Sequence, residues 1–115
     1  MNQLELIISD TQLGTGKVVV KGALVICHYE GFIENENGIK FDSSIEKDRP
    51  FQFVIGSGRV INGWDQGIMG MKEGGKRTLF VPAHLGYGER QIGQYITPHS
   101  NLFFKVEVLE VRIRD

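Results

Sequence analysis

One stretch limits the fold more than any other: Val60-Ile61-Asn62-Gly63-Trp64-Asp65-Gln66-Gly67-Ile68-Met69-Gly70-Met71. Trp64, Ile68 and Met71 recur at helical spacing and so share one apolar face of a short helix. Gly63, Gly67 and Gly70 each lower helix preference by about 1 kcal/mol relative to Ala. Only tertiary packing or close approach of another backbone offsets that cost, so such a helix does not stand alone. The expectation is a short helix, ended by Gly70 or by Gly74-Gly75, and clasped by strands from the rest of the chain.

Those strands are visible as alternation. Leu4 to Ile8 reads as a first strand, followed by a turn at Ser9-Asp10-Thr11. Gly14-Thr15-Gly16 lacks the Gly-Lys-Ser/Thr ending of a phosphate loop, and is expected to turn the chain into Lys17-Val18-Val19-Val20. Residues 1–20 are thus read as an N-terminal strand region. Leu24 to Glu30 is the candidate central strand, with Val25, Cys27 and Tyr29 inward and Leu24, Ile26 and His28 on a partly covered opposite face. Asn37-Gly38 marks a hairpin to Ile39-Lys40-Phe41-Asp42. Ile45 to Arg49 is a charged excursion before Pro50 and the strand Phe51 to Ile55. Lys76 to Val81 is a strand that Pro82 stops. In the last strand Phe104, Val106 and Val108 hold one phase and Leu109, Val111 and Ile113 the other, which predicts a bulge or strong twist between Val108 and Leu109. The fold class is α+β: a strongly twisted antiparallel half-barrel of five or six strands around one short helix, forming a single domain over residues 1–115.

A chain of 115 residues buries a core without a metal or disulfide staple, and a net charge of -1 argues against a broad nucleic-acid-binding face. Cys27 is the only cysteine, which excludes an internal disulfide and a cysteine-rich zinc site. His28, His84 and His99 lack ligand spacing, so neither metal nor cofactor is expected. Lys72, Lys76 and Arg77 read as a solvated flank. The N-terminal residues lack the pattern of a secretory signal, and no segment is apolar enough to span a bilayer. A monomeric protein of the cytoplasm is the expectation.

The segment from His84 to Ser100, with Gly86, Gly88, Gly93 and Pro98, is long for a loop in so small a domain and is a functional candidate. Tyr29, Phe41, Phe51, Trp64, Tyr87 and Phe104 come from separate elements, with Asp42 and Tyr87 supplying polar tips among aromatics, as a concave ligand site requires.

Taken in order, His28-Tyr29-Glu30-Gly31, Lys40-Phe41-Asp42-Ser43-Ser44, Pro50-Phe51, Val60 to Gly67, Met71-Lys72-Glu73-Gly74-Gly75-Lys76-Arg77 and Leu85-Gly86-Tyr87-Gly88 give the chain a clear family likeness. It resembles the FKBP-type peptidyl-prolyl isomerases, in particular small single-domain bacterial members. The resemblance implies an apolar pocket between sheet and helix, with Trp64 as floor and Tyr29, Phe41, Phe51 and Phe104 as walls. It implies rim positions for Val60 and Ile61, a ligand-facing Ile61 N–H, a Tyr87 hydroxyl that reaches the ligand, Asp42 at the edge and an apolar contact from Ile96. The implied partners are proline-containing peptides, folding proteins and macrolides such as rapamycin; the alternative is a non-catalytic proline-peptide-binding or chaperone module using the same pocket. The chain departs from the family at Thr97, which stands where members often have the first of two prolines, and at Tyr95, where an aliphatic residue is common. Thr97 adds a backbone donor and removes a φ restraint, so a freer loop is expected, with Tyr95 narrowing the entrance.

Overall fold

The computed structural model describes residues 4–113; Met1 to Gln3, within the expected N-terminal strand region, lie outside it. The elements follow the order β1 (Ile7–Gln12), β2 (Leu24–Ile33), β3 (Lys40–Ser43), β4 (Phe51–Val54), α1 (Asn62–Gly67), β5 (Lys76–Val81), a 3-10 turn (Ala83–Leu85) and β6 (Leu102–Arg112). The strands form one antiparallel sheet in the order β1-β5-β6-β2-β3, with β4 also paired to β2. The sheet wraps around α1 and does not close into a barrel.

The inward face is built by period-2 alternation. Val25, Cys27 and Tyr29 of β2, Leu79 and Val81 of β5, and Phe104, Val106 and Val108 of β6 are all buried in one core with Ile55, Trp64 and Ile68. The expected phase change in β6 is present as a register shift. Ile26 pairs with Glu110 and Cys27 with Val108, which leaves Leu109 as the extra residue. Val111 then returns to the core, while Leu109 and Ile113 remain exposed.

The helix has only six residues, and Ile68 closes it by donating its N–H to the Trp64 carbonyl at 3.0 Å. Gly70, at φ 85°, turns the chain away, and Met71 enters the core from beyond the helix. Gly63 and Gly67 explain why glycine is tolerated inside it. A Cβ on Gly63 would sit 2.5 Å from Val81 Cγ1, and one on Gly67 2.7 Å from Leu79 Cδ2. The helix therefore lies directly on β5, closer than any side chain at those positions would permit.

The N-terminal reading needs correction. The strand is Ile7–Gln12, so the residues expected to turn, Ser9 to Thr11, belong to it. All six of its residues are exposed, and it forms by pairing with β5 rather than by burying a face. The segment Lys17 to Val20 is not a regular strand: Val18 makes one isolated bridge to Lys72, and Val19 exchanges backbone hydrogen bonds with Gly70 and Met71. The β2–β3 hairpin forms as expected, but neither Asn37 nor Gly38 adopts the positive φ of a tight two-residue turn; Glu34 does. Gly38 is there for space, since a Cβ would fall 1.8 Å from the Ile33 carbonyl oxygen.

Arg77 is not part of a solvated flank. Its side chain is only 12% exposed, and its guanidinium donates to the carbonyls of Gly67 (2.8 Å) and Met69 (3.1 Å) and to Asp10 (2.7 Å). It thus satisfies carbonyls left open at the helix C-terminus and ties α1 to both β5 and β1.

Candidate functional site

Between α1 and the inner face of the sheet lies a cavity of about 230 Å³. Its floor is Trp64, which the first turn of α1 presents to the sheet. The ring centroid lies 5.0 Å from Tyr29, 5.7 Å from Phe51 and 5.4 Å from Phe104, with interplanar angles of 79°, 81° and 83°. These are edge-to-face contacts, the arrangement that ring quadrupoles favour. Phe41 completes the wall by meeting Phe104 edge-on at 5.7 Å. Trp64 Nε1 is buried without a hydrogen-bond partner among the described residues.

Polar groups stand at the edge. The Tyr29 hydroxyl donates to Asp42 Oδ2, and Asp42 Oδ1 pairs with Lys47 at 2.6 Å and accepts the Ser43 N–H at 2.9 Å. Burial pushes the Asp42 carboxyl up, but Lys47 and the Tyr29 hydroxyl outweigh it and hold the group below its ordinary range. Burial, and then the Asp42 carboxylate, push the Tyr29 hydroxyl upward; the same two causes raise Tyr87. Asp42 is accordingly a charged, fully engaged anchor at neutral pH.

Val60, Ile61 and Tyr87 form the opposite rim together with Arg59. Ile61 is the N-cap of α1 and accepts the Trp64 and Asp65 N–H groups through its carbonyl, while its own N–H has no partner among the described residues. The turn that delivers this rim is held by Asp65, which accepts the N–H of Gly56 at 2.9 Å and of Gly58 at 3.1 Å. Both glycines have positive φ, 79° and 76°, which L residues adopt at a cost.

Nine of the residues named from the sequence thus line one cavity: Tyr29, Phe41, Asp42, Phe51, Val60, Ile61, Trp64, Tyr87 and Phe104. Ile96 does not. It is buried in the core, where it closes a small bridge with Ile92. Tyr95 is exposed and also lies off the cavity lining, so it does not narrow the entrance. Three contributors went unread. Arg59 carried no signal as a single exposed charge. Ser44 is buried, and its Oγ accepts the Tyr29 N–H at 2.7 Å in the gap where β2 changes partner from β4 to β3. Gly31 sits beneath two wall rings: a Cβ there would meet Phe41 Cζ at 2.6 Å and Phe104 Cε1 at 2.9 Å.

The family model described as FKBP-type peptidyl-prolyl cis-trans isomerase matches residues 16–109. The chain belongs to this family. This FKBP-type isomerase is 52% identical over 106 residues to an FK506-binding protein of Neisseria meningitidis serogroup A, covering 92% of this chain and 95% of that one. It is 47% identical over 94 residues to human peptidyl-prolyl cis-trans isomerase FKBP2, covering 82% of this chain and 65% of that protein. Among solved structures, AtFKBP13 superimposes with a TM-score of 0.82 at 43% identity, covering 91% of each chain. FkpA from Escherichia coli also gives a TM-score of 0.82, at 33% identity, over 93% of this chain and 48% of that one. The isomerase fold and activity class follow from this combination of family match and near-complete coverage.

Proposed function

We propose that this isomerase twists X–Pro amides within the aromatic cavity, with the proline ring over Trp64 and the flanking carbonyls oriented by the Ile61 N–H and the Tyr87 hydroxyl. The observation that carries the reading is a box of edge-packed rings with two donors at its rim, the Ile61 N–H and the Tyr87 hydroxyl, that have no partner among the described residues. Rotation about an X–Pro bond costs about 18–20 kcal/mol because amide resonance is lost on twisting. No bond to another atom needs to form. A site that binds the twisted amide better than either planar form lowers that barrier. Charge separation decreases as the amide twists, so apolar walls favour the twisted form over the planar one. Asp42 holds Tyr29 and moves no proton.

The same cavity is proposed to take macrolides of the FK506 and rapamycin type, a reading supported by the names of the Neisseria relatives and by the apolar lining. The protein is proposed to act as a monomer on folding chains. A protease-free cis-to-trans assay on short X–Pro peptides, with and without rapamycin, tests both parts. Turnover that the macrolide abolishes supports them. Turnover that saturating macrolide leaves unchanged overturns the shared cavity, and macrolide binding without turnover overturns catalysis there.

A further inference from the structure

A second recess of about 350 Å³ opens beside the cavity and shares four of its residues, Arg59, Val60, Ile61 and Tyr87. A proline seated in the cavity places one of its neighbours in the chain, at most about 3.6 Å per residue further on, against this shared rim. The recess is polar and its charged lining groups have one sign: Arg59 and Arg90 line it, and no carboxylate does. Among the described residues neither Arg59 nor Arg90 is ion-paired, unlike Lys40, Lys47, Arg77, Lys105 and Arg112; Lys17, Lys21, Arg49, Lys72 and Lys76 are also without an ion pair but do not line the recess. Arg90 lies with its guanidinium carbon 6.0 Å from the centre of the Tyr87 ring, which keeps it beside the site. Neither the adjacent acids in sequence, Asp65 and Glu89, nor Asp42 of the adjoining cavity cancels these charges within the recess. Asp65 is turned to the Gly56 and Gly58 N–H groups, Glu89 does not line the recess, and Asp42 is paired with Lys47.

We propose that this recess is a subsite for an acidic side chain next to the substrate proline, with Arg59 and Arg90 as its specificity-determining residues. A guanidinium offers a planar fork of donors that matches a carboxylate. The proposal rests on catalysis taking place in the aromatic cavity, and its test separates the two. The measurement is kcat/KM for peptides that differ only in the residue before or after proline, which is Ala, Glu or Lys, for the wild type, Arg59→Glu, Arg90→Glu and the double variant. Both arginines are exposed, and circular dichroism confirms that each variant is folded. At low salt the wild type is expected to turn over the Glu peptide about three- to tenfold faster than the Lys peptide at one flank, the range that a pair of exposed ionic contacts supports. That ratio shrinks in 1 M salt, where screening reaches about 3 Å, and inverts in the double variant. Because the readout is a ratio within each variant, a general loss of activity cancels. Equal turnover of Glu and Lys peptides at both flanks, with the Ala peptide still turned over, overturns the subsite alone, as does a Glu preference that survives in the double variant. Failure to turn over even the Ala peptide overturns catalysis in the cavity and the subsite with it.

Discussion

Gly31 shows how a residue without a side chain shapes the cavity. Its place on β2 sets it under Phe41 and Phe104, and a Cβ would come within 2.9 Å of both rings. Gly31→Ala is therefore expected to displace these two walls, destabilising the fold by about 1–3 kcal/mol through overpacking. It is also expected to lower peptide turnover by more than tenfold, as checked by denaturant unfolding alongside the isomerase assay. Asp42 gives a pH prediction with a definite sign. Its folded carboxyl titrates below its ordinary range, so its contribution to stability is complete above the unfolded value of about 3.9 and is lost as pH falls through the lower folded value. The melting-temperature gap between wild type and Asp42→Asn should be widest near neutrality and close at acid pH. Turnover by the wild type should stay flat from about pH 6 to 8, since no proton is transferred; a titration in that range that vanishes in the Asp42 variant would contradict the mechanism.

At the scale of elements, α1 is too short and too rich in glycine to persist by itself, and Arg77 is the side chain that fastens its end to the sheet. Arg77→Met keeps the stem but removes the donors to Gly67, Met69 and Asp10. A loss of about 1.5–3 kcal/mol in chemical denaturation is expected, the range for hydrogen bonds to charged groups, together with a changed Trp64 fluorescence as the helix shifts. The loop after β5 behaves differently from the sequence expectation. Thr97 supplies the extra donor that replaces proline chemistry, and that donor is used: its N–H reaches Ser100 Oγ at 3.0 Å. Further along, His99 N–H bonds the Gly88 carbonyl at 2.8 Å. Thr97→Pro should consequently lower stability by about 0.5–1.5 kcal/mol rather than raise it, and thermal unfolding decides between the two signs.

Over the whole molecule, stability should be distributed unevenly. β2 and β6 lie at the centre of the sheet with pairing on both sides, whereas β1 is an edge strand with every residue exposed. Native-state hydrogen exchange is expected to show β1 amides opening through local fluctuations and those of β2 and β6 only through global unfolding; equal protection in the three strands would refute this. That distribution also marks the limit of what could be read in advance. Strands that bury a face leave alternation in the sequence, so β2, β5 and β6 were legible, including the bulge at Leu109. The helix was legible because Trp64 and Ile68 fall one turn apart, although it stops at Gly67 and Met71 reaches the core from beyond it rather than from its face, and the aromatic set was legible because one motif order carries it. β1 was displaced because its order comes from pairing with β5, some seventy positions away in places (Ile7 with Phe80), which leaves no local pattern. The same holds for Arg77, Ser44, Gly31 and Arg59, whose roles depend on what lies opposite them. By itself the sequence determined the inward-facing strand residues and the short helix, since hydrophobic periodicity and glycine placement are local properties, whereas the residues of the cavity were readable through the family motifs that carry them. Only the tertiary structure decided which backbone passes within van der Waals contact of which glycine, which donor is already used at Thr97 and that Ile96 belongs to the core rather than the cavity lining, because each of these depends on distances between segments far apart in the chain.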